Sequence, residues 1–249
     1  MKIAVISDIH GNLEAMEAVL ENIKNENCEK IFCLGDLAMA GPLPKETIDF
    51  VRNLENEFDF EIIQGNTDEM IAYAQDWIYE KIKESLPVMA EAYKSDIKAV
   101  TDEQKEYLKN LPKQKELKIG DLKILLVHGS PRKNNEDISP KLDIKTVEEM
   151  IKDTDADLIL CGHTHIPCGY QTTTNQTVIN VGSVGRPFSI APKSCYCVLT
   201  VDGTKNFLAK HNFVEYNFEK AAKILEQRDF EGADKMADML RHASNRYPQ

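Results

Sequence analysis

Residues 2–25 read KIAVISDIHGNLEAMEAVLENIKN, and the three parts of this stretch decide the fold. KIAVIS is a short apolar run rich in β-branched residues, the pattern of a buried strand. In the tract after it, Leu13, Met16, Val19, Leu20 and Ile23 recur at helical spacing. A strand therefore feeds a helix through the turn SDIHGN, which carries Asp8 and His10 on a glycine-softened bend. The order then repeats: KIFCLG reads as a strand, PKETIDFVRNL as a helix with Pro44 at its first turn, and FEIIQG as a strand. Such alternation predicts an α/β sheet whose functional residues sit on the loops beyond the strands' carboxyl ends.

From Glu69 to about residue 112 the pattern is helical only, closing with TDEQKEYLKNL, which opens on a Thr-x-x-Gln capping box at Thr101 and Gln104. We read residues 1–249 as one domain and residues 69–112 as a helical cap inserted in it. Trp77, Tyr73, Tyr79 and Tyr93 fall in this segment. Aromatics at such spacing are expected to form a small core, with a ligand platform as the alternative. Strand patterns resume in KELKIGDLKILLVHG, with a hairpin turn at Gly120 and Asp121, and continue through ADLILCG, TVINVG, SCYCVLTVDG and FLAKHNFVEYNF. Two amphipathic helices finish the chain.

The formal charge is −11, from 30 Lys and Arg against 41 Asp and Glu, so no basic field exists to recruit nucleic acid or an anionic membrane. An anionic substrate would need local help from metal or arginine. No apolar run approaches the length of a membrane span, and the N-terminus is not a signal peptide. The six cysteines are scattered, which reads as a reduced, cytoplasmic protein, and the pair Cys195 and Cys197 in a strand is expected to serve packing rather than metal.

The chemistry lies in the turns at the strand ends: SDIHGN, GDLAMAG, GNTDE, VHGSP and GHTHIP. Each delivers Asp, Asn or His on a glycine-containing turn, and one such turn alone would be weak. Together they propose seven ligands, Asp8, His10, Asp36, Asn66, His128, His163 and His165. Imidazole nitrogen mixed with hard oxygen suits manganese, iron, zinc, nickel or magnesium better than calcium, with manganese the first expectation, and seven ligands are too many for one small ion. Two divalent ions are expected, about 3.5–4 Å apart. The strand alternation in DIH and HTH is expected to point both ligands of each pair to one side.

In order and detail these blocks, with NVGSVGRP, resemble the calcineurin-like metallophosphoesterases, in particular their small bacterial and archaeal phosphodiesterase branch. The resemblance covers residues 1 to about 210. It implies a four-layer α/β/β/α sandwich, one metal held by Asp8, His10 and His165, another by Asn66, His128 and His163, and Asp36 as the bridge. Two such ions would lower the pKa of a shared water and give a hydroxide to attack phosphorus, with Asp36, Asn66 and His128 expected at the catalytic centre and Asn12 at the substrate. The loop GSPRKNN follows His128, so Arg132 or Lys133 is expected within reach of a bound anion, with a solvated basic turn as the alternative. The expected function is hydrolysis of phosphodiester or phosphoanhydride bonds of a small phosphorylated substrate, a nucleotide such as a dinucleoside polyphosphate, with an oligomer left open. The alternative is a metal-binding scaffold of the same fold with little or no activity. One departure bears on the chemistry: Thr67 stands where the common GNHD motif has a histidine, and a threonine hydroxyl cannot act as a general acid near neutral pH.

Overall fold

The computed structural model describes residues 1–188 and 191–244. The first unit runs β1 (Lys2–Ile6), α1 (Leu13–Asn25), β2 (Lys30–Cys33), α2 (Pro44–Leu54) and β3 (Asp59–Ile62). Four helices come next, α3 (Asn66–Tyr73), α4 (Asp76–Lys83), α5 (Pro87–Ala99) and α6 (Asp102–Asn110). The second unit comprises β4 (Gln114–Ile119), β5 (Leu122–Val127), α7 (Ile144–Ile151), β6 (Leu158–Cys161), β7 (Cys168–Gln171) and β8 (Thr177–Asn180). The described chain ends with β9 (Ser194–Val201), β10 (Phe207–Val214), α8 (Phe218–Glu226) and α9 (Ala233–Arg241).

Two mixed sheets result, ordered β10-β9-β1-β2-β3 and β4-β5-β6-β8-β7. Within them β1, β2 and β3 are mutually parallel, as are β5, β6 and β8, while β9, β10, β4 and β7 join as antiparallel neighbours. Period-two alternation in β1 sends Ile3 and Val5 to one face and Ala4 and Ile6 to the other, all fully buried. Ile3, Val5, Phe32 and Leu34 meet Ile124, Leu126, Leu158 and Leu160 of the second sheet. On the outer face Ala4 and Ile6 lie under Met16, Val19, Ile48 and Val51 of α1 and α2. Val147, Met150 and Ile151 of α7 cover the other sheet at Leu125 and Ile159. The architecture is the four-layer α/β/β/α sandwich. Truncating one of the inner residues, as in Leu160→Ala, is expected to cost ~2–5 kcal/mol.

The four helices α3–α6 leave and rejoin the sandwich at one place, where the Gln64 N–H donates to the Pro112 carbonyl at 2.7 Å. The capping box of α6 forms in both directions, Gln104 N to Thr101 Oγ1 at 3.2 Å and Thr101 N to Gln104 Oε1 at 3.0 Å. Gln104 then docks the helix onto α2 by donating to Asp49 Oδ1 at 2.7 Å. Of the aromatics expected to form a small core here, Tyr93 does so at 0% exposure, whereas Tyr73 and Trp77 remain 47% and 60% exposed. The reason is that α4 touches the rest of the chain along one narrow face, with Ile78 its one buried residue.

Strand β7 is absent from the sequence reading because four residues at a sheet edge carry too little alternation to register. Among the described residues no helix is long and apolar enough to cross a membrane. All six cysteines are free and five are buried. Burial pushes the thiols of Cys195 and Cys197 up to about 12, as fits packing in β9.

Candidate metal centre

The loops after β1, β2, β3, β5 and β6 converge where the two sheets meet, tied by backbone bonds that cross between them. Asp8 N donates to Gly35 O at 3.0 Å, His10 N to Asp36 O at 2.9 Å and Gly162 N to His128 O at 2.8 Å. From the far side Val184 N donates to Ser7 O and Gly185 N to Asp8 O, so the NVGSVGRP block forms the backing of the Asp8 loop. A side chain at Gly185 would meet the Ile9 carbonyl at 1.7 Å, which is why that close approach needs glycine.

Five of the seven candidate ligands hold left-handed backbone: Asp8 (φ 56°), His10 (48°), Asp36 (58°), His163 (65°) and His165 (61°). This corrects the expectation that strand alternation aims each pair. β1 ends at Ile6 and β6 at Cys161, before either pair begins, and convergence comes from alternate residues forced into a conformation that costs an L-residue about 1–2 kcal/mol. Strain of this kind persists where the surroundings over-determine it.

The imidazoles are held by backbone carbonyls. Nδ1 of His10 lies 2.8 Å from Met39 O, Nδ1 of His128 2.7 Å from Leu34 O, and Nδ1 of His165 2.7 Å from Arg186 O. A carbonyl only accepts, so each Nδ1 carries the proton and each ring, when neutral, presents a bare Nε2 lone pair inward. His10 Nε2 and His165 Nε2 then stand 3.1 Å apart, lone pair against lone pair. That contact is repulsive between neutral rings and sensible beside a cation. Asp8 Oδ1 lies 3.2 Å from His165 Nε2 and 3.7 Å from His10 Nε2, and Asp36 Oδ2 lies 3.3 Å from His128 Nε2 and 3.7 Å from His10 Nε2. Asp8 Oδ1, Asn66 Oδ1 and His128 Nε2 are buried with no hydrogen-bond partner. Unpaired buried polar atoms are costly, and Asp8 Oδ1 and His128 Nε2, 3.9 Å apart, fit metal ligation.

Two groups in this constellation could hold a metal ion, their ligand atoms lying within 4.8 Å of one another: Asp8, His10 and His165, and Asp8, Asp36 and His128. Asp8 belongs to both. His163 borders the second group, its ring edge-on to His128 with centroids 5.4 Å apart, its Nε2 3.2 Å from Asp137 Oδ1 and its backbone N–H donating to Asp8 Oδ2. Asp137 is absent from the sequence reading; it lies nine positions past His128 on an irregular loop, where spacing carries no information about direction.

The electrostatics follow from burial opposed by close partners. Against its burial, Asp8 is held well below the usual carboxylate range by His165 and His128. Asp36 is likewise burdened by burial and brought down to about 2 by His128. Burial works against a charge on His128, yet Asp36 and Asp8 raise it to about 10. His165 and His163 are pushed below their ordinary value by burial.

Asp68 is the support beneath this cluster. Its buried carboxylate accepts from Asp36 N at 2.7 Å, Leu37 N at 2.8 Å and Gly65 N at 2.9 Å. Burial and the adjacent Asp36 charge push it up to about 6 despite those bonds. Thr67 N donates to Asp36 Oδ1 at 2.8 Å, which leaves Oδ2 to face the histidines. On the other side of the loop, Asp96 on α5 accepts from Ala40 N at 2.7 Å and pairs with Arg228 at 2.7 Å, and Arg228 donates to Gly41 O.

The two expected substrate contacts are placed differently. Asn12 is fully buried as the cap of α1, accepting from Ala15 N and donating to Gly185 O and Tyr216 Oη, so its amide is committed inside the protein. Arg132 is at the surface, bonded to Glu136 through Nε and Nη2, beside Lys113 and Lys133 on a depression of about 420 Å³ that reaches His128.

With this geometry, the family model for the calcineurin-like phosphoesterase superfamily domain matches residues 1–204. The chain belongs to that superfamily. It is a phosphoesterase-type hydrolase. It is 32% identical over 241 residues to the uncharacterized protein MJ0912 of Methanocaldococcus jannaschii, covering 91% of this chain and 93% of that one. Hypothetical protein PH1004 of Pyrococcus horikoshii superposes with a TM-score of 0.86 at 25% identity over 98% of this chain and 99% of that one. A metallophosphoesterase of Sphaerobacter thermophilus does so with a TM-score of 0.76 at 25% identity over 98% and 100%.

Proposed function

We propose that this phosphoesterase is dinuclear and cleaves phosphodiester or phosphoanhydride bonds of small phosphorylated substrates, nucleotides in particular, in the cytoplasm. The observation that carries the reading is the pair of facing imidazole Nε2 atoms at 3.1 Å, each with its Nδ1 proton spent on a carbonyl. One ion would take Asp8, His10 and His165. The other would take Asn66, His128 and His163, with Asp36 between them. Manganese is the first choice for both, with iron, zinc, nickel or magnesium as alternatives. Two such ions supply a water of lowered pKa as nucleophile and positive charge for the oxygens of the pentavalent transition state.

The residues of the chain prepare that chemistry. Asp36 keeps one oxygen on the Thr67 N–H and turns the other toward both metal sites. The three carbonyl-held imidazoles have no freedom to rotate, so little reorganisation is needed when charge develops. Lys113, Arg132 and Lys133 line the depression beside His128, Lys113 paired with Glu69 and Arg132 with Glu136, and a phosphate oxygen could replace Glu136 on Arg132.

Metal analysis after incubation with manganese should return close to two ions per chain. Asp36→Asn should weaken both sites, and His165→Ala should mainly empty one. A protein that stays metal-free with manganese, zinc or iron, or that loads metal and turns over no phosphodiester or anhydride in a nucleotide panel, overturns the reading.

A further inference from the structure

Beside the candidate metal centre lies a groove of about 620 Å³ bounded by α3, α4 and the loop after β5. Asn66, proposed above as a ligand of the second ion, is among its lining residues, which ties the groove to the candidate centre. Its lining is mixed, the apolar part being Met70, Tyr73, Trp77, Ile78, Ile82 and Leu86. Three of these are large side chains left open, Tyr73 at 47%, Trp77 at 60% and Leu86 at 47%, within fourteen residues of one another. The core function of this segment is discharged by Ile78 and Tyr93, so core packing does not account for the open aromatics. Among its lining Asn134 donates to Glu69 Oε2 at 2.8 Å, fixing the loop against α3.

We propose that this groove is the subsite for a planar aromatic group of the substrate, a nucleobase, stacking on Trp77 and Tyr73 while the phosphate sits at the metal centre. The proposal rests on the phosphoesterase reading above and adds the group recognised. Three features support it. The groove is in the volume range of small-molecule sites, and its apolar side chains are gathered with polar ones such as Asn66, Gln75 and Asn134 that can fix a ligand's orientation. Helix α3 spans its length, carrying Asn66 at its start and Tyr73 at its end, about 10 Å along the axis. That separation suits a ligand with its phosphate at one end and its ring at the other. The depression that holds Lys113, Arg132 and Lys133 shares Glu69, Asn134 and Asn135 with the groove but none of its aromatics, so aromatic and anionic portions of one substrate have separate places.

The test uses the metal-loaded full chain and two probes the enzyme cannot hydrolyse, the phosphonate isosteres of AMP and of ribose 5-phosphate. Because Trp77 is the single tryptophan, its emission reports this groove alone. The adenine probe should quench it, and calorimetry should show the adenine probe binding about 10-fold or more tighter than the ribose probe, the size of one base-stacking contact. Trp77→Leu should abolish most of that difference while leaving the ribose probe unchanged, and Trp77→Phe should keep it. Equal affinities for the two probes, or a preference that survives both Trp77→Leu and Tyr73→Leu, overturns the proposal. Failure of the phosphoesterase reading looks different, as absent metal or absent turnover; failure here leaves both intact and removes only the base preference.

Discussion

Gly65→Ala is the sharpest test of how the centre is held. Gly65 has φ −85° and ψ 173°, extended backbone that alanine adopts without strain, so the substitution acts through space alone. A Cβ there would stand 2.1 Å from Asp36 Oδ1, 2.4 Å from Asp36 N and 2.8 Å from Asp36 Cγ. Real Cβ contacts begin near 3.0 Å, so the Asp36 oxygen must retreat by about 0.9 Å, the difference between 3.0 and 2.1 Å. Asp36 is 2% exposed and boxed in by His10 and His128, and cannot swing into solvent. Overpacking of this kind costs ~1–3 kcal/mol, or a fall of ~2–12 °C in Tm for a chain of this size. Misplacing a catalytic group by about 1 Å costs ~100-fold in rate. Differential scanning calorimetry, metal titration and initial rates on a chromogenic diester measure the three effects. Gly169→Ala, whose Cβ meets nothing closer than 3.8 Å, is the control and should behave as the parent. A Gly65→Ala protein with parental metal content and turnover within threefold refutes the proposal that Asp36 lies between the two ions.

Three further outcomes are expected. Arg228→Met strips the partner from Asp96, which is 0% exposed, and should cost ~3–5 kcal/mol and loosen the loop that positions His10 through the Met39 carbonyl; a parental melting curve would show that the pair holds nothing. Because His128 in the metal-free protein is raised from 6.5 to about 10, the folded state binds more protons than the unfolded one between those values. Its stabilising contribution is therefore complete below pH 6.5 and disappears as pH rises through about 10, and metal binding at pH 7–8 should release a proton from it, seen as buffer-dependent heats in calorimetry. Heats that do not vary with the buffer would contradict this. Thr67→His should supply a general acid, worth about 10²–10⁴-fold, so it should speed poor leaving groups selectively and flatten the dependence on leaving-group pKa. Uniform slowing would mean instead that Thr67 is kept for the shape of the site, where its hydroxyl is buried without a partner.

Much of the fold was legible because its elements are locally encoded. Helical spacing in Leu13–Ile23, the capping box at Thr101, and the turn at Gly120–Asp121 all appear in the structure as read. The metal-binding blocks were legible for a different reason: each ligand comes directly after a strand, and parallel strands place their carboxyl ends at one edge of a sheet. Asn12 shows the limit. It stands within the first block and shares its character, yet the amide turns inward to cap α1 and hold Gly185, a choice made by a partner 173 positions away.

Sequence alone determined the α/β class, the four-layer plan through its family resemblance, and the residue types gathered around the candidate metals, because periodicity and turn chemistry act over a few residues. Tertiary structure alone decided how those residues point. The left-handed backbone at Asp8, His10, Asp36, His163 and His165 is imposed by bonds between loops far apart in the chain. The carbonyls of Leu34, Met39 and Arg186 select the tautomers of three histidines, Asp137 meets His163 from an irregular loop, and Arg228 reaches Asp96 from across the fold. Trp77 and Tyr73 likewise stay open because α4 finds only a narrow surface to pack on. Such contacts join residues separated by tens to hundreds of positions, and no local pattern records which of them will meet.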